Sequence, residues 1–258
     1  MRSGSRLWQQ QGFTLVELAI VLMIIGLLIG GILRGQELLM NARIASTIKQ
    51  VTSYTGAINT FRDAYAALPG DLSQALNRIP GCATNGCTNG NGNGLIGAPI
   101  LFWQLSDQSI PGESTQFWKH LALTHIISGV NPSANALSFG ISHPSAPLGG
   151  GFSVVTSVKD PNDPTGSMTT GSIVLRLHGD LVGGPGTVIE DNPVVSPKQA
   201  AQLDRKMDDG MPGTGDVQAG ASGTGARVNG GTQSDCEGPP GYKESVEFTL
   251  CTMAFLIR

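Results

Sequence analysis

The sequence predicts an α+β protein in which a long N-terminal helix packs on a C-terminal antiparallel sheet with loop-rich insertions. Three observations support this fold class. A helical pattern of apolar side chains runs through residues 13–68 and meets its first strong stop signal at Pro69-Gly70. Short segments rich in β-branched residues follow in the C-terminal half. The 36 glycines and 15 prolines indicate many turns between these segments.

The first half of the predicted helix has the length and composition of a transmembrane segment. Residues 13–33 read FTLVELAIVLMIIGLLIGGIL. As a helix they span roughly 31 Å, which matches the hydrocarbon core of a bilayer. Arg2 and Arg6 precede the segment and Arg34 alone follows it at once, which favours a cytoplasmic N-terminus. The sequence thus predicts a single-pass membrane protein with its bulk outside the cytoplasm.

Two residues distinguish this segment from an ordinary secretory signal. Gly12 lies before the apolar run, whereas a signal peptidase site follows its apolar core, so the run should survive cleavage. Glu17 places a carboxylate inside the run, at a cost of a few kcal/mol in lipid. Such a residue is either close enough to the interface to reach water or has a functional partner, and the second interpretation is favoured.

Residues 12–18, GFTLVEL, resemble the processing and methylation site of type IV prepilins and type II secretion pseudopilins. The resemblance implies that residues 1–12 are a leader peptide, removed after Gly12 by prepilin peptidase, and that Phe13 is then N-methylated. It also implies that Glu17, the fifth residue of the mature chain, meets the N-terminal amine of a neighbouring subunit during assembly. Two opposite charges in an apolar filament core compensate each other only when the neighbouring helices are aligned so that the two charges meet.

This resemblance implies a type IV pilin-like fold and a structural role. The expected function is that of a major or minor pilin of a type IV pilus or related filament, and the alternatives are a type II secretion pseudopilin or a filament-borne adhesin. The expected partners are copies of the same chain, prepilin peptidase, the inner-membrane assembly machinery and membrane lipid. The expected location is the bacterial inner membrane, followed by an extracellular or periplasmic filament.

Beyond the membrane segment, residues 34–68 predict an amphipathic continuation of the helix. Apolar residues recur mostly three or four positions apart: they are Leu38, Ile44, Ile48, Val51, Tyr54, Ile58, Phe61, Tyr65 and Leu68. A single helix from Phe13 to Ala67 would be roughly 80 Å long. The alternative is a break at Gly35. Many related pilins have a proline near the end of the membrane segment, where this chain has Arg34-Gly35.

The four cysteines fall into two local pairs in the predicted globular body, residues 69–258. An even count suits disulfides in an exported chain, and four reduced thiols are the alternative. Because short loops close most easily, Cys82–Cys87 and Cys236–Cys251 are the favoured pairings. The second pair resembles the C-terminal disulfide loop of type IV pilins. At its loop length the chain-entropy estimate is about 3 kcal/mol.

The body contains patterns typical of short helices and strands. Residues 113–127 predict a helix capped by Ser114 or Thr115, with His120 and His125 at its surface or polar rim because a spacing of five does not suit two metal ligands. Residues 197–207 predict a second helix with Ser196 before it. Strands are predicted at residues 152–158, 173–177 and 248–257, and an exposed loop at residues 218–241.

The sequence offers one candidate cation site, and no other cofactor is expected. Residues 204–216, DRKMDDGMPGTGD, offer Asp204, Asp208, Asp209 and Asp216 to calcium, but ordinary turns need the same residues. Residues 82–97 contain repeated Asn-Gly steps and predict a surface loop held by a disulfide.

Composition and motifs also exclude several classes of function. The formal net charge is −3 and no Lys/Arg run occurs, so nucleic-acid binding is not expected. The chain lacks Gly-x-Ser-x-Gly, HExxH and phosphate-loop motifs, so it is not expected to be an enzyme. Trp103 and Trp118 are the aromatic residues that an adhesin could use.

Overall fold

The computed structural model describes residues 13–97, 100–101, 112–158, 171–179, 181, 193–220, 236–238, 241–249 and 251–257. The chain divides into two compact units, Met1–Arg43 and Ile44–Arg258. The described part of the first unit is the beginning of one helix. The described part of the second unit contains the rest of that helix, a five-stranded and a two-stranded sheet, three shorter α-helices, a 3-10 helix at Ala83–Asn85 and two disulfides. The predicted α+β class, with a long N-terminal helix and a C-terminal antiparallel sheet, is confirmed.

The first helix, α1 (Leu15–Tyr65), is 51 residues long and has no break at Gly35. It begins two residues after Phe13 and ends two residues before Ala67, the predicted limits. At its C-terminus Ala66 adopts a left-handed conformation with φ 52°, and its N–H donates to the Arg62 carbonyl oxygen at 2.8 Å. A left-handed residue is a usual end of a helix, although glycine and not alanine normally occupies this position.

The helical residues of the second unit present a buried stripe to the body. Its members recur at three- and four-residue spacing, which is the period of one helix face: they are Ile44, Thr47, Val51, Tyr54, Ala57, Ile58 and Phe61. The Tyr54 ring lies 5.2 Å from that of Trp118 and 5.5 Å from that of Phe152, in edge-to-face contacts. From Ile44 onward the predicted amphipathic stripe thus packs on the body, whereas its first member, Leu38, is exposed.

The main sheet has five strands in the order β1-β2-β3-β7-β4. Its strands are β1 (Ile100–Leu101), β2 (Gly151–Val158), β3 (Ile173–His178), β4 (Val217–Gly220) and β7 (Thr252–Ile257). Strands β2, β3, β7 and β4 pair antiparallel, whereas the short edge strand β1 pairs parallel with β2. A separate two-stranded sheet joins β5 (Glu237–Gly238) to β6 (Gly241–Tyr242).

The shorter helices are α2 (Ala75–Arg78), α3 (Glu113–Leu123) and α4 (Pro197–Met207). Ser196 caps α4 with a complete capping box to Gln199, as its sequence predicts. The cap predicted for α3 is wrong. That helix starts at Glu113, its N-cap is Gly112 without a side-chain bond, and Ser114 and Thr115 are buried inside the helix, which also ends four residues earlier than predicted.

Two further predictions for the body need correction. The last strand begins at Thr252 and not at residue 248, and the Phe248 side chain is exposed. The loop predicted for residues 218–241 begins as strand β4, whose Gln218 and Ala219 are buried against β7. Alternation of apolar and polar residues was too short there to signal a strand. Residues 221–235 lie outside the described part of the chain.

Candidate functional site

The first turn of α1 holds Glu17, the carboxylate of the apolar segment. Thr14 precedes the helix, and its backbone N–H and its hydroxyl both donate to Oε2 of Glu17, at 2.8 and 2.9 Å. The Glu17 N–H donates in turn to the Thr14 Oγ1 at 3.3 Å. This is the reciprocal capping box of Thr-x-x-Glu sequences at helix N-termini. The carboxylate therefore has two donors within its own chain.

This cap changes the cost of placing Glu17 in apolar surroundings. A carboxylate that accepts hydrogen bonds is less costly to desolvate than a bare one, and the helix dipole favours an anion in the first turn. The predicted partner of Glu17 was a neighbouring subunit only; the contact with Thr14 was not predicted, although the Thr-x-x-Glu spacing before an apolar run signals a capping box. The third predicted residue of this region, Gly12, lies outside the described residues.

The side chains that follow Glu17 are apolar and exposed all round the helix. Helices of this kind need an apolar environment. The exposed set is Leu18, Ile20, Val21, Leu22, Met23, Ile24, Ile25, Leu27, Leu28, Ile29, Ile32, Leu33, Leu38 and Leu39. Among the described residues, Leu15–Tyr65 is the helix whose length and composition suffice to cross a membrane, with a mean hydropathy of 2.7 in its 18-residue window.

Glycines interrupt this apolar surface at four positions. A Cβ added at Gly26, Gly30, Gly31 or Gly35 meets no atom within 4 Å. Glycine at such sites lets the backbone of another helix approach closely. The surface therefore has both the apolarity for lipid contact and the small residues that favour helix–helix contact.

The Asn-Gly loop, residues 82–97, is exposed over much of its length and is held at several points. The Cys82–Cys87 disulfide closes its first turn, as predicted. Asp71 accepts the backbone N–H groups of residues 92, 93 and 94 at 2.7–3.0 Å, and Glu113 accepts those of residues 91 and 97 at 3.0 and 2.9 Å. Two carboxylates from outside the loop therefore fix its backbone.

The histidine prediction is wrong for His120, which is buried. Its Nδ1 accepts the Gly70 N–H at 2.9 Å, so its Nε2 carries the proton and donates to the Thr88 carbonyl oxygen at 3.2 Å. Burial lowers the pKa of His120 to about 4, and burial also lowers the pKa of His143 to about 3. Both rings are neutral structural groups at physiological pH. His125 is exposed, as expected.

The acidic turn, residues 204–216, brings three of its four predicted ligands together. One carboxylate oxygen from each of Asp204, Asp208 and Asp209 lies within 4.8 Å of the other two. Burial raises the pKa of Asp204, and the charges of Asp209 and Asp208 raise it further. Asp216, the fourth predicted ligand, donates its backbone N–H to Asp208. The oxygen set is compatible with a divalent cation.

Donors of the protein already engage these carboxylates. The Tyr242 hydroxyl donates to Asp204 at 2.7 Å, the Val217 N–H to Asp208 at 3.0 Å and the Met211 N–H to Asp209 at 2.8 Å. Carboxylates bonded in this way also stabilise a turn without a metal. Calcium at this position stays a prediction.

The C-terminal disulfide loop is tied to the acidic turn. Cys236 and Cys251 form the predicted disulfide, and both are buried. Within the loop, Tyr242 bonds Asp204, and Glu244 pairs with Arg205 of α4. The loop and the turn therefore belong to one surface of the body.

Comparison with known proteins finds a match for one part of the chain. Residues 9–33 match the family model described as the prokaryotic N-terminal methylation motif. No curated protein and no solved structure matches the chain. The match covers the capped, apolar beginning of α1, where GFTLVEL lies. The chain therefore carries the prepilin-type cleavage and methylation motif, which indicates a precursor similar to those of type IV pilins and pseudopilins.

Proposed function

We propose that this chain is a structural subunit, a major or minor pilin, of a type IV pilus or related filament, processed after Gly12 by prepilin peptidase. One observation carries the proposal. A prepilin-type motif leads directly into a helix whose large apolar side chains are exposed on every face and whose first turn holds Glu17. The motif belongs to a structural family and not to an enzyme family, which agrees with a role in assembly.

The same helix has two environments in this proposal. Before assembly, residues 13–33 cross the inner membrane with the N-terminus in the cytoplasm, as the Arg2 and Arg6 charges favour. After cleavage, the inner-membrane assembly machinery transfers the helix from lipid to a bundle of identical helices. Both environments are apolar, so the leucine and isoleucine side chains on the helix surface do not contact water during the transfer.

Glu17 supplies the register of this bundle. In the isolated chain its carboxylate is satisfied by Thr14. Cleavage after Gly12 creates a positively charged amine at Phe13, which is the complementary group that a neighbouring subunit would offer. An unpaired ion in an apolar bundle costs several kcal/mol, so only a stagger that pairs the two charges is stable.

A type II secretion pseudopilus is the alternative within the same class, because it uses the same motif. A filament-borne adhesin is the alternative from another class. Trp118 does not support it, because this side chain is fully buried beside Tyr54 and Phe117. Trp103 lies outside the described residues.

The N-terminus of assembled material tests the proposal. Sheared filaments are purified and the N-terminal peptide of this chain is identified by mass spectrometry. The expected peptide starts at N-methylated Phe13. A peptide that starts at Met1, or one that starts beyond Leu33, contradicts the proposal. Filaments on the cell surface favour the pilus, and a chain retained in the periplasm favours the pseudopilus.

A further inference from the structure

The Asn-Gly loop contains four Asn-Gly steps, at Asn85, Asn89, Asn91 and Asn93. Asparagine before glycine is open to a specific reaction, in which the glycine nitrogen attacks the side-chain carbonyl carbon of the asparagine. Glycine favours the reaction because it has no Cβ to obstruct the approach. Asparagine is for this reason among the thermolabile residues of proteins. The four steps differ in what their glycine nitrogens contact.

Three of the four glycine N–H groups are engaged as donors. The Gly90 N–H donates to the Leu72 carbonyl oxygen at 3.0 Å. The N–H groups of Gly92 and Gly94 donate to the two carboxylate oxygens of Asp71 at 2.7 and 2.8 Å. A hydrogen bond to an anion is strong, and it makes the proton harder to remove. The nitrogens that would attack Asn89, Asn91 and Asn93 are therefore held inactive.

The Asn85–Gly86 step has a different environment. Gly86 is exposed and directly follows the short 3-10 helix Ala83–Asn85, so its N–H has at most the weak helical bond to the Ala83 carbonyl oxygen and no bond to a carboxylate of the described residues. The Lys119 Nζ donates to the carbonyl oxygens of Asn85 and Gly86 at 3.4 and 3.3 Å. The carbonyl of Asn85 belongs to the peptide group of the Gly86 nitrogen. A cation on that oxygen therefore stabilises the anion that forms when the nitrogen loses its proton.

The side chain of Asn85 is also held and polarised. Its Oδ1 accepts a short hydrogen bond from the Ser133 hydroxyl, and its Nδ2 donates to the Gly81 carbonyl oxygen at 2.8 Å. A donor on Oδ1 withdraws electrons from Cγ and stabilises the oxyanion that forms there on attack. Lys119 is only 1% exposed, so little solvent screens its charge at the two carbonyl oxygens, and the same burial lowers the pKa of its ammonium group.

We propose that Asn85 is a self-modification site at which the chain deamidates, and that Asp71 protects Asn91 and Asn93 from the same reaction. A solvent base removes the Gly86 N–H proton, and the nitrogen forms a bond to Cγ of Asn85. The Cγ–Nδ2 bond breaks, and ammonia leaves after taking a proton from water. Water then opens the cyclic imide at either carbonyl and leaves aspartate or isoaspartate at this position.

The product would change the exposed end of the Cys82–Cys87 ring. It adds one negative charge beside Lys119, and isoaspartate adds one carbon to the backbone inside the disulfide ring. The loop surface therefore changes with the age of the protein, whatever the helix assembles into. This inference does not depend on the proposed function.

Peptide mapping of the full chain tests the proposal. The purified chain in detergent is incubated at mildly alkaline pH in heavy-oxygen water, and label uptake at each asparagine is followed by mass spectrometry. We expect Asn85 to react at least about tenfold faster than Asn91 or Asn93, since one strong hydrogen bond to the transition state gives about this factor. In the reduced, denatured chain the four steps should react at similar rates.

Three variants separate the parts of the mechanism. Ser133→Ala and Lys119→Met should each slow the reaction at Asn85 by about tenfold and leave Asn93 unchanged. Asp71→Asn should accelerate Asn91 and Asn93 and leave Asn85 unchanged. Ser133 is exposed, so its variant should fold even if Lys119→Met does not. Equal rates at Asn85 and Asn93 in the native chain overturn the proposal, as does a wild-type rate at Asn85 in Ser133→Ala.

Discussion

The two halves of α1 share one helix and differ in what surrounds them. In the half that belongs to the first unit, large apolar side chains are exposed on every face. In the half that belongs to the second unit, Ile44, Ile58 and Phe61 are fully buried in the body. Most helical stability in proteins comes from packing of this kind. The first half therefore depends on lipid or on other subunits, whereas the second half is stabilised by its own chain.

The polar groups of the two halves follow the same division. Among the described residues, Thr14 donates both hydrogen bonds that the Glu17 carboxylate accepts, through a capping box within one turn of the chain. In the second half, Gln50 donates to the Tyr54 hydroxyl at 2.9 Å and to the Ser145 carbonyl oxygen at 2.9 Å. Changes in the first half should therefore affect assembly, and changes in the second half should affect folding.

The largest effect is expected for Glu17→Ala. Without its carboxylate, the amine of a neighbouring Phe13 would lie unpaired in an apolar bundle, at a cost of several kcal/mol. We expect incorporation into filaments to fall to background, as measured by immunoblots of the sheared filament fraction. Membrane levels and the melting temperature of the body should stay at wild-type values.

The matched control is Glu37→Ala. Glu37 is also on α1, and its carboxylate makes an exposed ion pair with Arg34 at 3.1 Å. Exposed pairs contribute little free energy, so this variant should assemble normally. Wild-type incorporation of Glu17→Ala would remove the registry mechanism.

The next effect is on the folding of the body, and Phe61→Ala tests it. Phe61 is 0% exposed, stacks on Tyr65 at 4.5 Å and lies beside the ring of His120. Truncation of a buried phenylalanine usually costs about 3–5 kcal/mol. We expect the melting temperature of the purified chain in detergent to fall by roughly 6–20 °C.

Leu22→Ala is the matched change in the first half, where the leucine is 69% exposed. It should leave the melting temperature of the body unchanged. Equal losses of stability in the two variants would contradict the division of α1 into an assembly half and a folding half.

The buried histidines predict a smaller, pH-dependent effect in the body. Burial lowers the pKa of His120 to about 4 and that of His143 to about 3, against about 6.5 in an unfolded chain. The unfolded state therefore binds more protons below pH 6.5. Their contribution to stability is complete above about pH 6.5 and is lost as the pH falls towards 4 and then 3.

Melting temperatures between neutral pH and about pH 4 measure this loss. The variant His143→Gln keeps a polar side chain of similar reach and cannot be protonated, so its melting temperature should fall less steeply. An identical slope in the variant and the wild type would show that His143 does not contribute to the acid sensitivity.

The sequence was sufficient to predict elements that depend on interactions between residues close together in the chain. The length of α1 follows from uninterrupted apolar spacing, and the α4 cap follows from Ser196 and Gln199, three positions apart. Both disulfides join cysteines that are close in sequence, at separations of 5 and 15 residues. In each case the interacting groups are brought together by a short piece of chain.

The rest depends on tertiary contacts. The burial of His120 follows from the Gly70 N–H and the Thr88 carbonyl, which lie 50 and 32 residues away along the chain. Residues 217–220 form the buried strand β4 because they pair with β7. The environment of Asn85 depends on Lys119 and Ser133, 34 and 48 residues distant. The periodicity and spacing of residues in a sequence do not predict such long-range contacts.

The smallest effect is expected at the acidic turn. Asp204, Asp208 and Asp209 face one another within 4.8 Å, so a divalent cation would reduce their mutual repulsion. Protein donors already occupy part of each carboxylate, so binding should be weak. We expect millimolar calcium to raise the melting temperature by only about 2 °C, the shift that about 0.5–1 kcal/mol gives in a body of this size.

The variant Asp209→Asn identifies the source of any such shift. Asp209 is exposed and accepts the Met211 N–H and the Thr214 hydroxyl, and the single side-chain oxygen of asparagine can retain the first of these two bonds. If calcium binds at the acidic turn, the variant should lose the shift while its melting temperature without calcium stays close to that of the wild type. A shift of equal size in the variant would show that the ion binds elsewhere. No shift in the wild type would show that the three carboxylates have a structural role only. In that role they accept hydrogen bonds from the backbone N–H groups of Gly210, Met211 and Val217 and so stabilise the turn.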